Sequence, residues 1–137
     1  MMRCGAAMGA QMHRSRLAGF IIDCKTNDLQ GAAGFWSGAL GLEVRQLPPD
    51  EADRYVQLLD PQQRLHIEVQ AVTHDSRVHL DIETDDIEAE VRRLEKLGAT
   101  RVAQVSRWWV MQAPTGQRFC VVKSSSPDFA TQATQWP

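Results

Sequence analysis

The chain repeats part of its own sequence, and this repeat constrains its fold more than any single motif. Three residues of the first copy recur 58 positions later in the second copy: Asp23 and Asp81, Thr26 and Thr84, Asp28 and Asp86. Each stretch then continues into a helical pattern that ends at a glycine, Gly41 in the first copy and Gly98 in the second. The segments 60–67 and 113–121 are also similar, with one extra residue in the second. Three matches in the same order indicate a duplicated unit.

The second copy has the clearer local pattern. Apolar and polar residues alternate through 78–83, which is typical of a half-buried strand. Asp85, followed three residues later by Glu88, matches a capping box at the start of a helix. Gly98 suits the left-handed position at which many helices end. The second copy is therefore predicted to begin with a strand and a helix.

Short β-like runs follow each predicted helix. They span 42–47, 55–59 and 64–70 in the first copy, and 100–105, 108–111 and 118–123 in the second. Turns that contain Pro or Gly separate many of these runs. The sequence therefore predicts an α+β fold of two tandem βαβββ modules, 17–70 and 77–123. We expect residues 1–16 to form a flexible extension and residues 124–137 a C-terminal tail.

Composition excludes several classes of protein. The length of 137 residues suits one domain built from the two modules. The formal net charge of −2 argues against a nucleic-acid partner, because such proteins usually carry a basic surface. No apolar run approaches the roughly 20 residues of a membrane-spanning helix. The three cysteines are scattered and odd in number, so we expect reduced thiols in a cytoplasmic protein.

Several motifs, taken in order, resemble those of a known family. They are Asp28-Leu29, Phe35-Trp36 and Leu40-Gly41-Leu42 in the first copy, then His79 seven residues before Asp86-Ile87, and Ala113-Pro114-Thr115-Gly116-Gln117-Arg118-Phe119. This order resembles the glyoxalase/bleomycin-resistance/dioxygenase proteins, the vicinal-oxygen-chelate superfamily. Phe35-Trp36 and the ending Phe119-Cys120-Val121-Val122 are most similar to its glyoxalase-like domain branch.

The resemblance implies a fold, an assembly and a set of ligand positions. In this superfamily, paired modules form a curved mixed sheet around a cup-shaped cavity that holds a small molecule, often in a homodimer. Metal-using members line the cup with four ligands, and the matching positions here are Ile21, His66, His79 and Cys120. Ile21 has no ligating atom, so two hypotheses stand. Either a divalent metal (Zn, Fe, Mn or Ni) is held by His79, His66 and Cys120, or no cofactor is required.

Strand alternation gives an independent set of candidates. Residues at alternate positions share a face, so His66 lies beside Glu68, and His79 beside Asp81. Asp23 occupies the position equivalent to Asp81 in the first copy. Glu68, Asp81 and Asp23 are therefore candidate catalytic acids or bases next to a histidine. In the alternative interpretation, the repeat-related Asp23 and Asp81 are structural and hydrogen-bond the backbone or the other module.

Aromatic and apolar side chains complete the predicted pocket. Its candidate residues are Ile21, Tyr55, His66, His79, Trp108, Trp109, Met111 and Cys120. Alternation lets only one of Trp108 and Trp109 face the cavity and assigns the other to the core or a dimer contact. The resulting hypothesis is a glyoxalase-like protein that binds a small organic molecule as a lyase-, isomerase- or dioxygenase-like enzyme. The alternative is a non-catalytic drug-binding resistance protein, and the incomplete ligand set argues against true glyoxalase I activity.

Overall fold

The computed structural model describes residues 12–137. These residues form nine strands and three helices. The strands are β1 His13–Lys25, β2 Glu43–Gln46, β3 Tyr55–Leu59, β4 His66–Val72, β5 Arg77–Thr84, β6 Thr100–Val105, β7 Trp108–Gln112, β8 Arg118–Lys123 and β9 Thr134–Trp136. The helices are α1 Leu29–Leu40, α2 Ile87–Lys96 and α3 Phe129–Gln132. The predicted α+β class and the repeated βαβββ order are both confirmed.

The chain divides into two compact units. The first unit comprises residues 18–80, and the second comprises 81–137 together with the start of β1, up to residue 17. The division falls inside β5, between Leu80 and Asp81. Each unit thus contains most of one predicted module.

The first unit contains a mixed sheet in the order β2-β3-β4-β1. Strand β4 runs antiparallel to β3 and parallel to β1, with Ile21 opposite Glu68 and Asp23 opposite Gln70. One face of this sheet packs on α1 and forms the core of the unit. Its buried residues are Leu29, Ala33, Val56, Leu58, Ile67 and Val69. Burying a side chain such as Leu58 contributes about 1.5–3 kcal/mol.

Helix α1 ends where the sequence predicts, and a side chain caps its start. Asp28 is the N-cap, and its Oδ1 accepts a hydrogen bond from the backbone N–H of Gly31 at 3.0 Å. The helix ends at Gly41, whose φ of 70° lies in the left-handed region that favours glycine. Leu29 and Ala33 anchor the helix to the sheet because both are buried.

The second unit repeats this arrangement with β5-β8-β7-β6 and α2. Its buried core residues are Val91, Leu94, Ala99, Met111, Phe119 and Val121. The predicted helix start was wrong by one residue. Asp86, not Asp85, is the N-cap and accepts from Ala89 N–H at 3.1 Å, whereas the Asp85 carboxylate accepts from the backbone N–H of Arg14 at 2.9 Å.

Ordered elements occur at both ends of the described chain. Strand β1 begins at His13, inside the predicted extension 1–16, whose residues 1–11 lie outside the described part. In the predicted tail, β9 pairs with the start of β1, and the Trp136 indole Nε1 donates to Ser15 Oγ at 2.8 Å. Phe129 is 6% exposed. These contacts attach the C-terminal segment to the second unit.

A buried ionic network supports the same end of β1. Glu90 is fully buried, and its carboxylate oxygens lie 2.8 Å from His13 Nε2 and 2.8–2.9 Å from two guanidinium nitrogens of Arg93. The Arg93 guanidinium also lies 3.9 Å from the ring centroid of Trp136. Burial opposes ionisation of Glu90, but the hydrogen bonds from Arg93 and His13 outweigh it and lower the pKa of this carboxyl.

No helix among residues 12–137 is long and apolar enough to cross a bilayer.

Candidate functional site on the first unit

The first unit has one apolar and one polar sheet face. Because neighbouring residues of a strand point to opposite sides, the side chains that alternate with the core residues lie on the face away from α1. We call this surface the polar face. It comprises Ile21 and Asp23 of β1, Tyr55 and Gln57 of β3, and His66, Glu68 and Gln70 of β4. His66 and Glu68 lie on the other face of β4 from the core residue Ile67, as the predicted alternation requires.

A carboxylate–histidine pair lies at this face. Asp23 Oδ2 is 2.7 Å from His79 Nδ1, and the two residues are 56 positions apart in the sequence. Asp23 is 2% exposed, and the His79 side chain is 14% exposed. An ionised carboxylate only accepts hydrogen bonds, so this contact places the proton of neutral His79 on Nδ1. Nε2 then becomes the nitrogen that can take up a proton or ligate a metal.

The other Asp23 oxygen and a nearby arginine extend this pair. Within residues 12–137, Asp23 Oδ1 is buried and accepts no hydrogen bond. The Nε of Arg77 lies 3.8 Å from Asp23 Oδ2, and the Arg77 side chain is 45% exposed. The buried negative charge of Asp23 is thus faced by one imidazole and one guanidinium, which offset the cost of burying it.

A second histidine–carboxylate pair lies on β4. His66 Nε2 is 2.8 Å from Glu68 Oε2, and Gln57 Nε2 is 3.5 Å from His66 Nδ1. If Glu68 is ionised, His66 carries its proton on Nε2, opposite to the arrangement in His79. The side chain of Glu68 is 13% exposed and that of His66 is 49% exposed. The polar face therefore holds two imidazoles, each oriented by a carboxylate.

Apolar and neutral polar residues separate these pairs. Ile21 is 4% exposed and lies opposite Glu68 in the parallel pairing of β1 and β4. Gln70, opposite Asp23, donates from Nε2 to the hydroxyl of Tyr55 at 3.0 Å. The predicted pocket residues Ile21 and Tyr55 thus lie on the same face as His66, Glu68 and Asp23.

The remaining candidate ligands lie in the second unit and on β5. A carboxylate oxygen of Asp81 and the Sγ of Cys120 lie within 4.8 Å of each other, and Cys120 is 9% exposed. His79 precedes Asp81 by two residues on β5, so both side chains project from the same face of that strand. Asp81 and Cys120 are therefore the candidate metal ligands of the second unit. His66, also predicted as a ligand, lies 2.8 Å from Glu68.

Two of the predicted pocket residues belong to the core. Met111 is fully buried in the core of the second unit, and Trp109 packs against the same cluster. Trp108 projects from the opposite face of β7, so it is the tryptophan on the side away from the core. Met111 thus lies in the core and not in the predicted pocket, and Trp109 is the tryptophan on the core side of β7.

Sequence reasoning missed three polar residues near the histidines. Arg77 lies two residues before His79 on β5, Gln57 lies opposite Glu68, and Gln70 lies opposite Asp23. The same period-two alternation that selected His66 and His79 also includes Arg77 and Gln70. Gln57 required the pairing register of β3 with β4.

Comparison with known proteins decides the family. Residues 19–122 match the glyoxalase-like domain family. The chain belongs to the glyoxalase-like domain family. The match covers both βαβββ modules and confirms the resemblance to the vicinal-oxygen-chelate superfamily. No curated protein matches the chain at a significant level.

Solved structures share the fold of this glyoxalase-like domain. A hypothetical protein from Bacillus halodurans has a TM-score of 0.59 and 12% identity, over 82% of this chain and 96% of its own. A Streptomyces coelicolor methylmalonyl-CoA epimerase variant has a TM-score of 0.56 and 16% identity, over 81% and 98%. A glyoxalase/bleomycin resistance protein/dioxygenase superfamily member from Vibrio splendidus has a TM-score of 0.52 and 18% identity, over 80% and 99%. At these identities the likeness shows the fold alone.

Proposed function

We propose that this glyoxalase-like domain binds a small organic molecule on the polar face of its first unit and that His79 exchanges a proton with it. The reaction class is that of an isomerase or lyase. The observation that carries the proposal is the 2.7 Å contact between buried Asp23 and His79. A fixed imidazole next to an enclosed carboxylate is a common arrangement for general acid–base catalysis.

The chemistry follows from the orientation of the imidazole. Asp23 accepts the Nδ1 proton, so Nε2 presents its lone pair as the base. When Nε2 takes a proton, the positive imidazolium lies 2.7 Å from the Asp23 carboxylate, which stabilises it. Ile21 supplies an apolar surface for the carbon skeleton of a ligand. A positioned base of this kind contributes about 10²–10⁴-fold to a proton transfer.

The fold comparisons are compatible with such chemistry but do not carry it. The methylmalonyl-CoA epimerases share the fold at 15–18% identity. An epimerase inverts one stereocentre, and proton exchange at carbon is one way to do so. The proposal for this chain depends on its own Asp23 and His79.

Deuterium exchange tests the proposal on a range of candidate compounds. The full chain is incubated in D2O with a panel of small ketones, aldehydes and thioesters, and proton NMR follows loss of the C–H signal beside the carbonyl. We expect at least one compound to exchange faster with the wild type than with His79→Gln. The matched control is Arg64→Gln, which changes an exposed side chain of the same unit away from the Asp23–His79 pair.

The two outcomes of this experiment are distinct. If His79→Gln and the wild type exchange every compound at the same rate, the proposed catalysis is wrong. If compounds bind the polar face with no exchange, the non-catalytic binding protein is the better account. Ligand-induced shifts of the backbone amides of Ile21 and Gln70 report that binding.

A divalent metal is the second candidate feature, and the donor set fits one. Asp81 and Cys120 of the second unit offer a carboxylate and a thiolate, both of which can bind zinc. The Asp23–His79 contact also resembles the carboxylates that orient metal-bound histidines. A bound ion would act as a Lewis acid toward a carbonyl oxygen.

The family and the cysteines support a proposal for assembly and location. We propose a homodimer in the cytoplasm, with Cys24 and Cys120 as reduced thiols. Light scattering on the purified full chain measures the assembly. A mass equal to one chain at micromolar concentration would contradict the dimer.

A further inference from the structure

Arg77 lies beside the proposed proton-transfer site. It is the first residue of β5, two positions before His79, so both side chains project from the same face of the strand. The side chain of Arg77 is 45% exposed, whereas that of Asp23 behind it is 2% exposed. The guanidinium therefore lies between a buried carboxylate and the solvent.

The hydrogen-bonding capacity of Arg77 is mostly unused by the described residues. Its Nε is 3.8 Å from Asp23 Oδ2, beyond hydrogen-bond distance, and its Nη2 is 3.4 Å from His74 Nε2. A guanidinium has five N–H donors. By contrast, Arg93 and Arg101 direct two and three guanidinium nitrogens, respectively, to carboxylate oxygens at 3.3 Å or less.

Asp23 attracts the Arg77 guanidinium but forms no hydrogen bond with its Nε. The short hydrogen bond of Asp23 goes to His79 at 2.7 Å, so the interaction with Arg77 is a longer-range ionic one. This attraction keeps the guanidinium next to the imidazole and leaves its N–H donors for another acceptor. A carboxylate is the acceptor that matches two parallel guanidinium N–H groups.

We propose that Arg77 binds the carboxylate of the ligand, so that the natural ligands are small carboxylic acids whose neighbouring carbon lies at His79. This inference rests on the proposed function and names the ligand class of the same site. Residues two apart on a strand have Cα atoms about 6.6 Å apart, at a rise of about 3.3 Å per residue. A carboxylate on Arg77 therefore brings the adjacent carbon of a short acid within reach of the imidazole.

Contacts of His74 and Ser76 hold the turn that precedes Arg77. The His74 ring lies beside the guanidinium, with Nδ1 2.8 Å from the carbonyl oxygen of Asp75. Lys25 donates its backbone N–H to Ser76 Oγ at 2.9 Å, which attaches this turn to β1. These contacts hold the turn that precedes Arg77 against β1.

An NMR titration of the full chain tests the proposal with defined probes. Sodium malonate is added to the protein at constant ionic strength while the Arg Nε–Hε and His ring signals are recorded. The uncharged isostere malonamide is titrated in parallel. Arg77→Gln removes the proposed contact, and Arg64→Gln is the matched control, because Arg64 is an exposed arginine in the turn before β4.

We expect saturable malonate binding to the wild type and to Arg64→Gln, and binding weakened by about tenfold or more in Arg77→Gln. Malonamide is expected not to bind. Equal malonate affinity in Arg77→Gln and the wild type overturns the inference, as does the absence of saturable malonate binding to the wild type. A third outcome is that uncharged carbonyl compounds exchange deuterium through His79 independently of Arg77. That result would support the proposed function and refute only the assignment of the ligands as carboxylic acids.

Discussion

His79 Nδ1 and Asp23 Oδ2 lie 2.7 Å apart, although the two residues are 56 positions apart in the chain. The aspartate is almost fully buried and the histidine is partly accessible. A buried carboxylate that accepts from one imidazole nitrogen determines which nitrogen faces outward. The proposed proton transfer depends on this single contact.

Replacing Asp23 by Asn removes the negative charge but keeps the shape of the side chain. Without the charge, the imidazolium is no longer stabilised and the Nδ1-protonated form is no longer selected. We expect deuterium exchange to fall by about 10²–10⁴-fold for any compound that the wild type exchanges. Asp75→Asn is the control, since the Asp75 side chain is 99% exposed and its carboxylate pairs with Lys25 at the surface. A rate in Asp23→Asn equal to that of this control would refute the role of Asp23.

Glu90 provides a pH-dependent test of the fold. Its pKa is lowered in the folded chain, where burial opposes ionisation but the hydrogen bonds from Arg93 and His13 prevail. Ionised Glu90 therefore stabilises the fold above its unfolded pKa of about 4.3, and this stabilisation is lost as the pH falls through the lower, folded pKa. We expect Glu90→Gln to cost about 3 kcal/mol in the free energy of unfolding at pH 7 and less at pH 3.

Urea denaturation at the two pH values measures this difference. Glu95→Gln on the same helix is the control, because Glu95 is a surface partner of Arg101 with a side chain 38% exposed. It should change stability by less than about 1 kcal/mol. A cost for Glu90→Gln that is the same at pH 3 and pH 7 would contradict the network.

Gly19 is required for the close approach of β1 and β4. A Cβ added at Gly19 would lie only 1.8 Å from the carbonyl oxygen of His66. We expect Gly19→Ala to destabilise the chain by about 3 kcal/mol or more, because backbone must move. Gly38→Ala is the matched control in α1, where an added Cβ meets nothing within 4 Å. That control should stabilise the chain by about 1 kcal/mol, and two equal effects in thermal unfolding would contradict the strand pairing.

Zinc affinity tests the candidate metal ligands. Competition with a chromophoric chelator is expected to show up to one zinc per chain in the wild type and affinity reduced by about tenfold or more in Cys120→Ser. Cys24→Ser is the control, since Cys24 packs on the core of the first unit and burial raises the pKa of its thiol. Zinc binding that is equal in the two variants would exclude Cys120 as a ligand.

Local sequence patterns predicted both modules, but two adjacent aspartates led to one wrong prediction of a helix start. The repeat located both βαβββ units, and alternation placed His66 and Glu68 on one face. Asp85 and Asp86 are both good N-cap residues, and only the contact of Asp85 with Arg14 N–H distinguishes them. The three-residue spacing to Glu88 therefore favoured Asp85, whereas Asp86 is the N-cap.

Contacts between distant residues were beyond reach of the sequence. The pairing of Asp23 with His79 depends on the neighbours of β1, and no local periodicity encodes it. Burial of His13 depends on Glu90, 77 positions away, so the start of β1 looked like an unstructured extension. Met111 was assigned to the pocket because alternation alone does not say which face of β7 meets a helix.

The protonation state of the His79 ring shows directly whether Asp23 orients the imidazole. Long-range proton–nitrogen NMR of the 15N-labelled chain distinguishes the two nitrogens of each neutral imidazole. We expect Nδ1 of His79 to carry the proton in the wild type and this preference to be lost in Asp23→Asn. A wild-type His79 protonated on Nε2, or a tautomer unchanged by Asp23→Asn, would contradict it.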